Sequence, residues 1–345
     1  MLFFALITLS STFLLCNCYR SPDPDHGPHR NRSYLEAVGN HLGKKNSFVS
    51  SLFLQEGLFG VGIAYTVTSA ISMSAIQRSN CYPKEGQLAN CEDRDTSYML
   101  LFGVAQILLS QLPDFHNIQW LSIFAAIMSF SYSSIGLGLG FAKVIGDGYV
   151  KGSTSGVSTS NAANKVWSIS QALGDIAFAY PYSLILIEIQ DTLKSPPAEN
   201  QTMKKASTIA IAVTTFFYLS CGGFGYAAFG DETPGNLLTG FGSYGPRWLI
   251  DFANVCIVLH LVGGYQVYSQ PLFANVEKWL VKEFPYSGFV KSEYKVRVPR
   301  LAEFKINPLR LCFRTAYVVS TTGIAIIFPY FNQILGVLGG MNFCH

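Results

Sequence analysis

The sequence predicts an all-α polytopic membrane protein, and three observations carry that prediction. Only 13% of its 345 residues are charged, about half the share usual in a soluble domain. Hydrophobic residues make up 49% and aromatics 14%, with a mean hydropathy of +0.28. The apolar residues come in long blocks, without the alternation of a half-buried strand or the period of an amphipathic helix. Such a chain has too few charges to solvate a disordered segment or to neutralise a phosphate backbone, which excludes a disordered protein and a nucleic-acid binder.

A helix that crosses a bilayer needs about 20 mostly apolar residues. The stretches 53–76, 97–112, 119–142, 167–189, 206–229, 248–275 and 312–330 reach or approach that length. The second of these is the weakest, being short and carrying Gln106 and Gln111. Two more blocks, 2–15 and 331–343, supply only part of a span. Block 2–15 reads either as a signal peptide or as a clipped helix. No basic residue precedes Arg20, and a signal peptide wants a basic leading region, so the clipped helix is preferred.

Lys and Arg concentrate on the cytoplasmic side of membrane proteins. The alternate loops 19–52, 113–118, 190–205 and 276–314 hold 17 of them, and the opposite loops 77–96, 143–166 and 230–247 hold 7. Loops 19–52 and 276–314 are therefore expected to be cytoplasmic and loop 77–96 extracellular. Cys81 and Cys91 share that external loop and are a disulfide candidate; Cys221, Cys256 and Cys312 lie in spans and read as small packing residues. The sequons Asn31-Arg32-Ser33 and Asn200-Gln201-Thr202 fall inside on this topology and are expected to stay unmodified.

No P-loop, HExxH, paired CxxC or Ser-His-Asp arrangement occurs in the sequence, so neither an enzyme nor a metal site is expected. Gly136-Leu137-Gly138-Leu139-Gly140 lies in an apolar span with no strand before it, and is read as a close helix contact, like Gly222, Gly223 and Gly225. The informative residues are ionisable groups at membrane depth, because a charge there is costly and seldom idle. These are Glu56, Asp175, Asp251 and His260. Glu56 and Asp251 lie near span ends, where a wet position is expected, and Glu188 and Asp191 are expected to meet the headgroups. Asp175 is different, because Gly174 weakens the helix on one side and Pro181 removes a backbone donor on the other. Such a segment is expected to unwind, which the membrane tolerates only beside protein or a water-filled cavity. Phe178, Tyr180 and Tyr182 could line a binding pocket there; the competing reading is an ordinary proline kink.

The run Gly174-Asp175-Ile176-Ala177-Phe178-Ala179-Tyr180, followed by Leu186-Ile187-Glu188-Ile189-Gln190-Asp191-Thr192, closely resembles the plant amino acid permease family of the amino acid/auxin permease group. Cys18-Tyr19-Arg20-Ser21-Pro22-Asp23-Pro24, Gly225-Tyr226-Ala227-Ala228-Phe229-Gly230, Pro234-Gly235-Asn236-Leu237-Leu238-Thr239-Gly240 and Phe252-Ala253-Asn254 agree with it, and the resemblance runs nearly end to end. It implies a LeuT-type inverted-repeat bundle of about eleven spans, truncated here at both ends, with 167–189 as the broken sixth span. It also implies proton-coupled symport of neutral and acidic amino acids into the cell across the plasma membrane, with the proton as coupling ion and no cofactor.

Carried onto this sequence, the resemblance implies a site of Gly174, Asp175, Phe178, Tyr180, Tyr65, Asn254 and His260. Asp175 would carry the proton or contact the substrate ammonium. The segment Gln55-Glu56-Gly57 is one residue shorter than the family's pattern, which turns a helix face by about 100°. The alternative is a transport-incompetent or regulatory fragment that associates with full-length relatives. A seven-span receptor and a membrane-embedded enzyme fit the sequence less well.

Overall fold

The computed structural model describes residues 1–85, 95–111, 119–153, 161–242, 244–296 and 304–343. The chain opens with α1 (Leu2–Asn17). A short antiparallel pairing of β1 (Arg20–Ser21) with β2 (His29–Arg30) leads into α2 (Tyr34–Leu42). Ser33 starts α2: its Oγ accepts the Glu36 amide at 3.2 Å, while the Glu36 carboxylate accepts the Arg32 amide at 2.7 Å. This reciprocal cap is what a Ser-x-x-Glu spacing allows. Gly43, at a φ of 87°, turns the chain into α3 (Lys44–Glu85). At 42 residues, α3 is about 60 Å long, twice the ~30 Å of a hydrocarbon core.

Next come α4 (Asp95–Ser110), α5 (Gln119–Asp147) and α6 (Ala162–Ala177). After a break the chain resumes as a 3-10 turn, Pro181–Ile185, and α7 (Leu186–Gln190). The long helices α8 (Glu199–Phe229) and α9 (Arg247–Glu283) follow. Beyond them lie α10 (Gly288–Lys291), a hairpin of β3 (Tyr294–Val296) with β4 (Phe304–Ile306), α11 (Pro308–Ile327) and α12 (Phe331–Phe343). Among the described residues, α3, α5, α8 and α9 are long and apolar enough to cross a bilayer, and α6 with the bent segment after it makes a fifth candidate.

α9 is the hub: α3, α4 and α5 pack on it, α8 packs on α5, and α1 on α8. The core between α3, α4, α9 and α11 holds Leu54, Leu58, Phe102, Tyr265, Phe273, Tyr317 and Val318. In a bilayer such packing is stabilised by close contact and internal hydrogen bonds, since lipid is as apolar as the core. That accounts for the glutamine in the short helix α4: Gln106 accepts from Gln266 Nε2 at 2.6 Å, both side chains being fully buried. Tyr265 and Thr321 pair their hydroxyls at 2.8 Å.

The structure departs from the sequence expectations at several positions. Gly138, Gly222 and Gly223 face open space instead of a neighbouring helix; Gly140 meets Phe224, and Gly225 meets Leu237. Cys256 is buried, but Cys312 is exposed on α11. Arg314, counted with a loop by its charge, lies in α11 and is 3% exposed. It donates to Glu277 at 2.7 Å and to the Ser110 carbonyl at the end of α4 at 2.6 Å. Cys81, in α3, is disulfide-bonded; Cys91 lies outside the described residues.

Candidate functional site

The break in the fifth candidate span follows directly from its residues. The Phe178 amide still closes on the Gly174 carbonyl at 2.9 Å, but the next two contacts lengthen to 3.2 and 3.4 Å. Pro181 has no amide to continue the ladder, and the two halves meet at a 44° bend. The turn is then held from outside itself. Tyr218 of α8 donates its hydroxyl to the freed Ala179 carbonyl at 3.2 Å. Tyr180, 6% exposed, pairs with the Thr215 hydroxyl at 2.7 Å and stacks edge-on against Tyr218 at 5.8 Å. The Tyr182 hydroxyl pairs with Thr12 of α1.

Around this turn the helices gather more tyrosines. Tyr65 of α3 stacks edge-on with Tyr268 of α9 at 6.0 Å and lies within electrostatic reach of Tyr132 and Tyr218. Gly264 makes room, since a Cβ there would stand 2.8 Å from the Tyr65 ring. Tyr132 packs on His260 at 5.8 Å. The His260 Nδ1–H donates to the Ala125 carbonyl at 2.9 Å, which makes Nε2 the acceptor nitrogen of the neutral ring.

The predicted site residues thus fall into three groups. Tyr65, Tyr180 and His260 join the tyrosine cluster. Gly174, Asp175 and Phe178 face α12: Gly336 and Gly339 lie against the Gly174 backbone, and a Cβ on Gly336 would sit 3.5 Å from Asp175 Oδ1. That oxygen is enclosed and meets no hydrogen-bond donor. Asn254 stands apart, donating to the Ile250 carbonyl at 2.9 Å and accepting from Asn236 at 3.3 Å. Tyr132, Tyr218 and Tyr268 were not singled out by sequence reasoning; their signal is a polar tip inside an apolar span.

The carboxylates after the break, expected to meet the headgroups, are each bonded within the protein. Glu188 Oε1 accepts the Tyr34 amide at 3.1 Å, and Asp191 accepts the Tyr19 hydroxyl at 2.8 Å. Burial, together with that carboxylate, pushes the Tyr19 phenol above its ordinary pKa. Asp251 is not simply wet either: one oxygen accepts from Asn80 at 3.1 Å and the other is enclosed.

A polar latch closes the same end. Arg20 grips Glu199 with two 2.8 Å bonds, and Arg30 adds a third at 3.0 Å. Glu199 holds the Arg20 guanidinium above its usual pKa, whereas the amides of His26 and Asp25 lower that of Asp23. Both sequon asparagines are built into this network. Asn31 is 0% exposed and donates to the Cys18 carbonyl at 2.7 Å; Asn200 is 2% exposed and donates to Asp25 at 2.6 Å. Among the described residues no cluster of His, Cys, Asp or Glu could hold a metal ion.

Long apolar helices around a span broken beside a carboxylate define a multi-pass membrane protein of the transporter kind. The comparisons make this specific. The profile of the transmembrane amino acid transporter protein family matches residues 1–344, and the chain belongs to that family. It is 56% identical over 344 residues to Probable amino acid permease 7 of Arabidopsis thaliana, covering 99% of this chain and 74% of that protein. Amino acid permease 2 of the same plant is 51% identical over 346 residues, covering 99% and 70%, and Amino acid permease 6 is 51% identical over 345, covering 99% and 72%. These relatives are permeases and not enzymes.

Proposed function

We propose that the protein carries amino acids into the cell across the plasma membrane together with protons, neutral and acidic amino acids being its substrates. The observation that carries this reading is the break at 178–180, flanked by a carboxylate whose Oδ1 has no donor. An ionised carboxylate so placed is strongly disfavoured, and taking up a proton relieves it. The family membership and the permease names of the relatives support amino acids as the cargo.

The turn supplies the rest of the chemistry. Backbone freed from the helix offers groups for the substrate's charged ends, and Tyr180, Tyr65 and His260 offer aromatic walls with polar tips. The helices would be arranged as a LeuT-type inverted repeat, with loops 19–52 and 276–314 in the cytoplasm and loop 77–96 outside. Uptake of labelled amino acids at acidic and at neutral external pH tests the reading. Uptake should be faster from the acidic side, and Asp175→Asn should abolish that preference. A variant that keeps it would remove Asp175 from the mechanism.

A further inference from the structure

Two carboxylates lie on the one broken span, Asp175 before the break and Glu188 after it, and each has an enclosed oxygen without a hydrogen-bond partner. For Glu188 that atom is Oε2; its Oε1 is held by the first amide of α2. The charged and titratable groups within electrostatic reach of it are the Tyr34 phenol of α2, the exposed Lys278 of α9 and Asp191 at the end of its own helix. Beside it, Ala37 of α2 packs with Leu186, Ile187, Met203, Cys16 and Tyr19. An anion in this position would leave one oxygen charged, unpaired and shut from water, whereas a protonated acid leaves no net charge there.

We propose that Glu188 is the inward-side proton site of the transport cycle, with α2 as its cover. This rests on the symport reading given above. While α2 is seated, Glu188 holds a proton on Oε2. When α2 tilts away, the O–H bond breaks and the proton passes to a cytoplasmic water. The carboxylate left behind is hydrated and faces the Lys278 ammonium. The coupling proton would then leave by a different residue from the one that admits it, and the span's bend would lie between the two.

The test uses the full chain in proteoliposomes, with labelled alanine as probe and two assays: accumulation driven by an acidic exterior, and exchange against internal alanine without a gradient. Glu188→Gln should keep exchange near the wild-type rate while accumulation falls by about tenfold or more, and Glu188→Asp should recover part of it. Lys278→Met alters an exposed side chain, so it tests the idea even if Glu188→Gln fails to fold. Losing the positive charge should move the pH at which accumulation is half-maximal to a more alkaline value. Wild-type accumulation in Glu188→Gln, or an unmoved midpoint in Lys278→Met, would overturn the proposal. If the wild-type protein exchanges alanine but shows no proton-driven accumulation, the symport reading fails first and takes this role of Glu188 with it.

Discussion

The carbonyl oxygen of Gly174 lies so close to Gly339 that a single added Cβ on Gly339 would overlap it. α12 is therefore seated directly on the last turn of α6, the turn that carries Asp175, and Gly174 must be glycine as well, because a Cβ there would overlap the Gly336 carbonyl oxygen. The obstructing atom is backbone and has no rotamer to yield. Gly339→Ala should destabilise the protein by about 1–3 kcal/mol, the usual cost of overpacking, read as a lower melting temperature in detergent. Gly222→Ala, at a glycine facing open space, should be neutral or slightly stabilising.

The latch between Arg20 and Glu199 joins the segment after α1 to the start of α8. Glu199 is 1% exposed and Arg20 12%, so removing one partner leaves a buried charge unpaired. Glu199→Gln should cost about 3–5 kcal/mol. Arg30, at 44% exposure, is screened by solvent, and Arg30→Ala should cost less than ~1 kcal/mol. Thermal denaturation of the three proteins side by side checks the ranking; equal losses would contradict it.

Neither sequon should carry glycan, and burial alone is sufficient reason, since Asn31 and Asn200 are committed to hydrogen bonds with Cys18 and Asp25. Treating the expressed protein with an endoglycosidase should leave its gel mobility unchanged. A shift that disappears in Asn31→Gln or Asn200→Gln would mean that the latch is open when the chain meets the glycosylation machinery.

The buried amide pair Gln106–Gln266 makes a double-mutant prediction. Gln106→Leu alone leaves the buried Gln266 amide only its longer bond to the Gln106 backbone carbonyl at 3.3 Å and should cost about 1–3 kcal/mol. Replacing both by Leu should cost less than the sum of the single changes, with a coupling of about 0.6–2 kcal/mol. Additive losses would mean that the 2.6 Å contact contributes nothing to stability.

The break at Phe178–Tyr180 was legible in the sequence because its causes are local. Gly174 weakens the helix and Pro181 cannot extend it, wherever the rest of the chain goes. The lining of the turn was less legible. Tyr132, Tyr218 and Tyr268 come from three other helices, and only the packing of α5, α8 and α9 brings them near Tyr65 and Tyr180. Asn254 came from the family resemblance alone, and the structure places it apart from the tyrosines, bonded to Ile250 and Asn236. For Glu188 the position along the span suggested headgroups, and nothing local pointed to its protein partner. The capping residues Ser33 and Glu36 start a helix whose first amide covers it, and that relationship links residues 154 positions apart.

In the proposed cycle, amino acid and proton cross together. The most direct measurement is the current evoked by a neutral amino acid in a voltage-clamped cell expressing the protein, recorded with acidic and then neutral medium. A zwitterion moving with a proton carries net positive charge, so the account predicts an inward current that shrinks as the medium is neutralised and is lost in Asp175→Asn. Uptake of labelled amino acid with no accompanying current at either pH would contradict it.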